Sequence, residues 1–141
     1  MKSLISLSIF RTVKLKLRIE KLLKNEKNVI KKLCRRLINE LLDIIILNKV
    51  ESDPYITGYA IIEYLLLRFN ILVSSGSVYS TLYALEREGL IKGVWKGRRR
   101  IYKITPEGEK MIMILREKSD VISCLFREII TQTEHHYASA E

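Results

Sequence analysis

The sequence predicts a mostly α-helical chain carrying one small β-hairpin, and three observations predict it. Apolar residues recur at three- and four-residue spacing through most of the 141 residues. One short stretch, Ile91 to Ile104, reads instead as two strands around a Gly97-Arg98 pair. A content of 48% hydrophobic and 29% charged residues suits one packed core and excludes a wholly disordered chain.

The elements follow in order. From Ile5 to Ile19 the odd positions are apolar and, from Lys14, the even ones are charged, a period of two that predicts a strand. From Leu22 the spacing changes: Val29, Ile30, Leu33, Leu37, Leu41, Ile44 and Ile45 predict one long amphipathic helix ending near Lys49. Glu51-Ser52-Asp53-Pro54 breaks it, because the residue before a proline is driven out of the helical region. Thr57 can cap a second, mostly buried helix running to about Phe69. Ser74 or Ser75 can cap a third, with Val78, Leu82 and Leu85 inward, Ser77, Ser80 and Thr81 outward, and Gly89 as its stop. Strands at Ile91 to Lys96 and Arg99 to Ile104 then flank Gly97-Arg98, a pair suited to a type II′ turn. Thr105-Pro106 starts a closing helix whose apolar residues run from Met111 to Ile130. This divides the chain into a basic arm (1–26), a compact domain (27–105), a closing helix (106–131) and a flexible tail (132–141).

Charge is clustered rather than spread. The net charge is +9; residues 1–50 hold 13 basic and 4 acidic residues, and residues 91–110 hold 7 and 2. Two basic blocks separated by one acidic stretch favour a polyanionic partner. Apolar runs such as Ile44 to Leu47 fall far short of the ~20 residues needed to span a bilayer. The Leu4 to Phe10 stretch ends at Arg11 with no small-residue cleavage site after it, so the chain is expected to work in the cytoplasm. Cys34 and Cys124 lack metal-ligand or CxxC spacing and are expected to be buried thiols.

Three helices followed directly by a two-stranded hairpin is the order of a winged helix-turn-helix, in which the third helix enters the major groove of DNA. The third helix here presents small hydroxyls, and the hairpin clusters Lys96, Arg98, Arg99 and Arg100 at one turn. Small side chains let a helix approach base edges, and guanidiniums match phosphates.

The strings TGYAIIEYL (Thr57 to Leu65), GSVYSTLYALEREGLI (Gly76 to Ile91) and YKITPEG (Tyr102 to Gly108) resemble the PadR-type transcription regulators. The resemblance implies a homodimeric repressor with long first and last helices at the dimer interface, released from DNA by an inducer or stress signal. The chain departs from the family in its basic segment before residue 25, either a lineage-specific arm or a start placed too early, and in its short basic wing. Ser80 stands where proline is common, and the closing helix has no tryptophan.

The candidate DNA-contacting residues are therefore Ser75, Ser77, Tyr79, Ser80, Thr81, Lys96, Arg98, Arg99 and Arg100. Tyr83 is expected in the core, and Trp95 is expected to pack the hairpin onto the helices. Lys21, Lys24, Lys31, Lys32, Arg35 and Arg36 form a basic face on the first long helix that is either a flanking contact or a solvated side. Adjacent His135 and His136 lack convergent ligands, so no metal site, catalytic set or cofactor is expected. Apolar stripes at both ends exceed what so small a core covers, so a two-fold partner is expected. The expected function is a sequence-specific regulator of transcription on duplex DNA. The rival is a winged-helix adaptor whose basic wing meets an acidic protein.

Overall fold

The computed structural model describes residues 13–14, 17–18, 21 and 28–131. Within the arm, Val13, Lys14, Leu17 and Arg18 are helical, which corrects the strand expected from Ile5 to Ile19 at those positions. A period of two contains every fourth residue, so Val13 and Leu17 also fit one helical face, and leucine, lysine and arginine all favour a helix. The remainder of that expected strand, and the tail from Gln132, lie outside the described residues.

The elements are α1 (Val29–Glu40), α2 (Leu42–Ser52), β1 (Ile56–Thr57), α3 (Gly58–Phe69), α4 (Ser75–Arg87), β2 (Ile91–Lys96), β3 (Arg99–Ile104), α5 (Pro106–Glu117) and α6 (Ser119–Thr131). The long first helix is thus two, broken at Leu41 (φ −105°, ψ 20°), and the closing helix is two, broken at Lys118 (φ −102°, ψ 15°). Neither break carries proline or glycine. Each is followed two residues later by an aspartate in the first turn of the new helix, Asp43 and Asp120, where the positive helix end favours a carboxylate.

Local chemistry sets the other ends. Thr57, Ser74 and Thr105 cap α3, α4 and α5, their hydroxyls accepting from the amides of Ala60 (3.2 Å), Ser77 (3.0 Å) and Gly108 (3.1 Å). Asn70 ends α3 in the left-handed region at φ 52°, and Gly89 follows α4 at φ 75°. Gly97 takes φ 62° in the hairpin turn, as a type II′ turn requires at that position.

The sheet has three antiparallel strands in the order β1-β3-β2, with Ile56 opposite Tyr102 and Gly93 opposite Tyr102 on the other side. The two-residue β1 had no sequence signal. Leu42, Ile46, Leu47 and Val50 of α2 pack with Ile61 and Leu65 of α3, Val78, Leu82 and Leu85 of α4, Ile91, Tyr102 and Ile112 into one core. The inward stripe expected for the third helix is therefore buried as read.

Where α4 ends and α5 begins, the chain is tied to itself. The Thr105 amide donates to the Leu90 carbonyl (3.1 Å) and its hydroxyl to the Gly89 carbonyl (2.6 Å). A Cβ on Gly108 would stand 2.2 Å from the Leu90 oxygen, so only glycine fits there. Farther along α5, Arg116 donates to both Glu51 and Asn48 of α2. Among the described residues no helix is long and apolar enough to cross a membrane.

Candidate nucleic-acid interface

The first turn of α4 is exposed and rich in hydroxyls. Ser74 and Ser77 hydroxyls share a hydrogen bond of 2.7 Å, and Ser75 is exposed beside them. The hydroxyls of Ser80 (3.0 Å) and Thr81 (2.8 Å) both donate back to the Ser77 carbonyl. Their donors are used within the helix, so each presents acceptor lone pairs outward. A Cβ on Gly76 would meet nothing nearer than the Ser74 hydroxyl, at 3.9 Å, so the backbone of this turn is approachable.

On one flank of α4 a cleft of about 720 Å³ opens between the start of α3 and the hairpin, lined by Thr57, Gly58, Tyr59, Tyr79, Tyr83, Trp95, Tyr102 and the three arginines Arg98, Arg99 and Arg100. Tyr79 and the wing tip therefore face the same space. On the other flank Ser80, Thr81 and Ala84 border a smaller hollow with Asn39, Glu40, Asp43 and Glu88. The candidate residues thus divide: Tyr79, Arg98 and Arg99 meet in the cleft, Ser75 and Ser77 sit at the helix tip, and Ser80 and Thr81 turn toward the α1–α2 junction.

Arg100 is set apart from its neighbours. Its guanidinium bonds the Glu86 carboxylate at 2.6 Å, while the other Glu86 oxygen accepts the Gly93 amide at 2.9 Å. It also lies 5.8 Å from the Tyr83 ring centre, 6.0 Å from Trp95 and 5.9 Å from Tyr102. The hydrogen bond to Glu86 raises its pKa above the usual arginine value, so it stays charged throughout. A Cβ on Gly93 would fall 2.5 Å from Arg100 Nε, so glycine makes room for this side chain. Glu86 joins α4 to both strands of the wing. The sequence reading missed Glu86, whose signal was its place three residues after Tyr83 and seven after Tyr79 on one helical flank.

Other expectations need correction. Trp95 is 67% exposed rather than packed on the helices, and it lines the cleft with Arg100 directly opposite on β3. Tyr83 is 55% exposed and lines the cleft. Cys34 is half-buried and Cys124 exposed, and both are free thiols. Lys96 rests over the Tyr55 ring at 4.8 Å. Of the basic face expected on the first long helix, Lys31, Lys32, Arg35 and Arg36 on α1 and Lys21 before it are exposed, and Lys24 lies outside the described residues. No three potential metal ligands converge among the described residues, and His135 and His136 lie outside them.

The transcriptional regulator PadR-like family model matches residues 46–113. The chain is similar in fold to a transcriptional regulator from Clostridium thermocellum, with 24% identity over 67% of this chain and 95% of that one and a TM-score of 0.59. A PadR-like transcriptional regulator from Bacillus cereus gives 23% identity, 68% and 97% coverage and a TM-score of 0.59. A PadR family transcription regulator from Clostridium difficile gives 23%, 63%, 97% and 0.57. No curated protein matches the chain. The winged-helix architecture and the resemblance read from the sequence both hold: residues 46–113, from within α2 to within α5, match the PadR-like transcriptional-regulator family model, and the fold is shared with solved regulators of that kind.

Proposed function

We propose that this chain is a sequence-specific, duplex-DNA-binding transcription regulator that acts in the cytoplasm as a homodimeric repressor on an inverted repeat. The observation that carries the reading is the cleft shared by Tyr79 and the Arg98–Arg99 tip beside the exposed first turn of α4. A helix N-terminus suits phosphates, the outward lone pairs of its hydroxyls suit donors on base edges, and a pair of unshared guanidiniums suits the backbone alongside. Ser75, Ser77, Ser80 and Thr81 are assigned to reading and docking, Tyr79 to a phosphate, and Lys96, Arg98 and Arg99 to the wing's phosphate contacts. Arg100, first grouped with them, is assigned to holding the wing, since Glu86 occupies its guanidinium.

The dimer is supported by α6, where Val121, Leu125 and Ile129 form one exposed apolar ridge and Ile122, Phe126 and Ile130 a second. The second ridge and Leu37 and Leu41 line an apolar groove between α6 and the α1–α2 bend. An uncovered face of this kind is buried economically against a second copy. The repressor mode rests on the family resemblance.

Selection of bound sequences from a pool of random duplexes tests the reading. The expected result is an enriched inverted repeat whose half-sites lie about one helical turn, ~34 Å, apart or a multiple of it. A pool that enriches nothing overturns it.

A further inference from the structure

The outer face of the wing sheet carries a charge pattern that folding does not explain. Lys92 stands directly opposite Lys103, and Lys96 directly opposite Arg99. Side chains alternate along a strand, so these four share one face. Gly93 and Arg100, which meet Glu86, occupy the other. All four basic residues are exposed, and among the described residues none has a carboxylate partner. Like charges directly opposite one another destabilise a strand pair. The ammonium groups of Lys96 (4.8 Å) and Lys103 (5.5 Å) both lie over the Tyr55 ring, which holds two cations on the same side of the sheet.

We propose that this outer face is a second phosphate-binding strip, which takes the sugar-phosphate backbone of the same duplex that α4 and Arg98 engage. The proposal rests on the DNA-binding reading above and adds Lys92 and Lys103 to the contact set. Four cations without counter-charges match a regular row of phosphates, and counterion release rewards each contact regardless of sequence. The hairpin then presents cations on its outer face as well as at its tip, which suits a ribbon lying between the two phosphate walls of a groove.

The test compares the full chain with its Lys92→Gln, Lys103→Gln double variant on a mixed-sequence duplex over a range of salt. Two lost phosphate contacts should lower the log–log salt slope by about 1.8 and affinity at 0.15 M salt by about 30-fold. The thermal midpoint should stay level or rise, because the variant removes a repulsion. Equal affinity and slope in the two proteins overturn the strip while leaving the DNA reading intact. A wild-type chain that binds no duplex overturns both. A lowered thermal midpoint assigns the two lysines to the fold and overturns the strip. Weakened binding to polyglutamate with duplex binding untouched gives the face to an acidic polypeptide, and again overturns it.

Discussion

Gly58 and Tyr79 share one space: a Cβ on Gly58 would stand 2.5 Å from Tyr79 Cε1 and 2.8 Å from Cζ. The glycine opening α3 is thus the seat of an aromatic ring on α4, which sets the angle between the two helices of the helix-turn-helix.

Gly58→Ala should therefore destabilise the fold by about 1–3 kcal/mol through overpacking, outweighing a helix-propensity gain of at most about 1 kcal/mol. Tyr79→Ala in the same chain should relieve the clash, so urea unfolding of the four-member cycle should show a coupling of more than about 0.5 kcal/mol. Strict additivity would mean that the two residues do not touch in solution.

Glu86→Ala leaves a partly buried guanidinium and the Gly93 amide without their acceptor. A loss of about 2 kcal/mol in unfolding free energy is expected, with Glu86→Gln intermediate. Duplex affinity should fall in the alanine variant although Glu86 carries the wrong charge for a phosphate contact. Tighter binding on removal of this carboxylate would show that it repels DNA rather than holding the wing.

Arg98→Ala with Arg99→Ala should weaken binding to all duplexes alike and reduce the salt slope by nearly two, whereas Thr81→Ala should change preference among sequences. Binding isotherms on a panel of single-base variants measure both. Uniform effects from both changes would dissolve this division between wing and helix.

Leu125→Glu places a charge in the middle of the exposed α6 ridge. Sedimentation should show a dimer for the wild type and a monomer for the variant, with α4 and the wing still folded by near-ultraviolet circular dichroism. A monomeric wild type would remove the dimer from the proposal.

Burial pushes the Tyr102 phenol above its ordinary value, with Arg100 pulling the other way. The native chain then holds this proton when the unfolded chain has released it, so stability is full below about pH 10 and is lost as pH rises through the folded value. Tyr102→Phe should melt at a midpoint that declines less steeply above about pH 10. An identical decline in both proteins would show that this phenol is not responsible.

Much of this architecture is legible locally. The caps Thr57, Ser74 and Thr105, the stop at Gly89 and both long strands follow from hydroxyl, glycine and alternation signals within a few residues of each boundary. The breaks at Leu41 and Lys118 were hidden because the apolar spacing runs through them unbroken, leaving only Asp43 and Asp120 as markers. Within the site, the residue types were readable but their distribution was not. Tyr79 and Thr81 are two apart in sequence and so fall on opposite flanks of α4, and the Glu86–Arg100 pair spans 14 positions that no local pattern connects.

Gly89, Leu90, Thr105 and Gly108 gather the exit of α4, the root of the hairpin and the entry to α5 at one point. With two hydrogen bonds and one close backbone approach at this knot, a displacement of α5 is expected to carry α4 with it. The Thr105 and Gly108 amides should accordingly exchange with solvent as slowly as those of the core, and fast exchange there would mean that the two ends of the chain move independently.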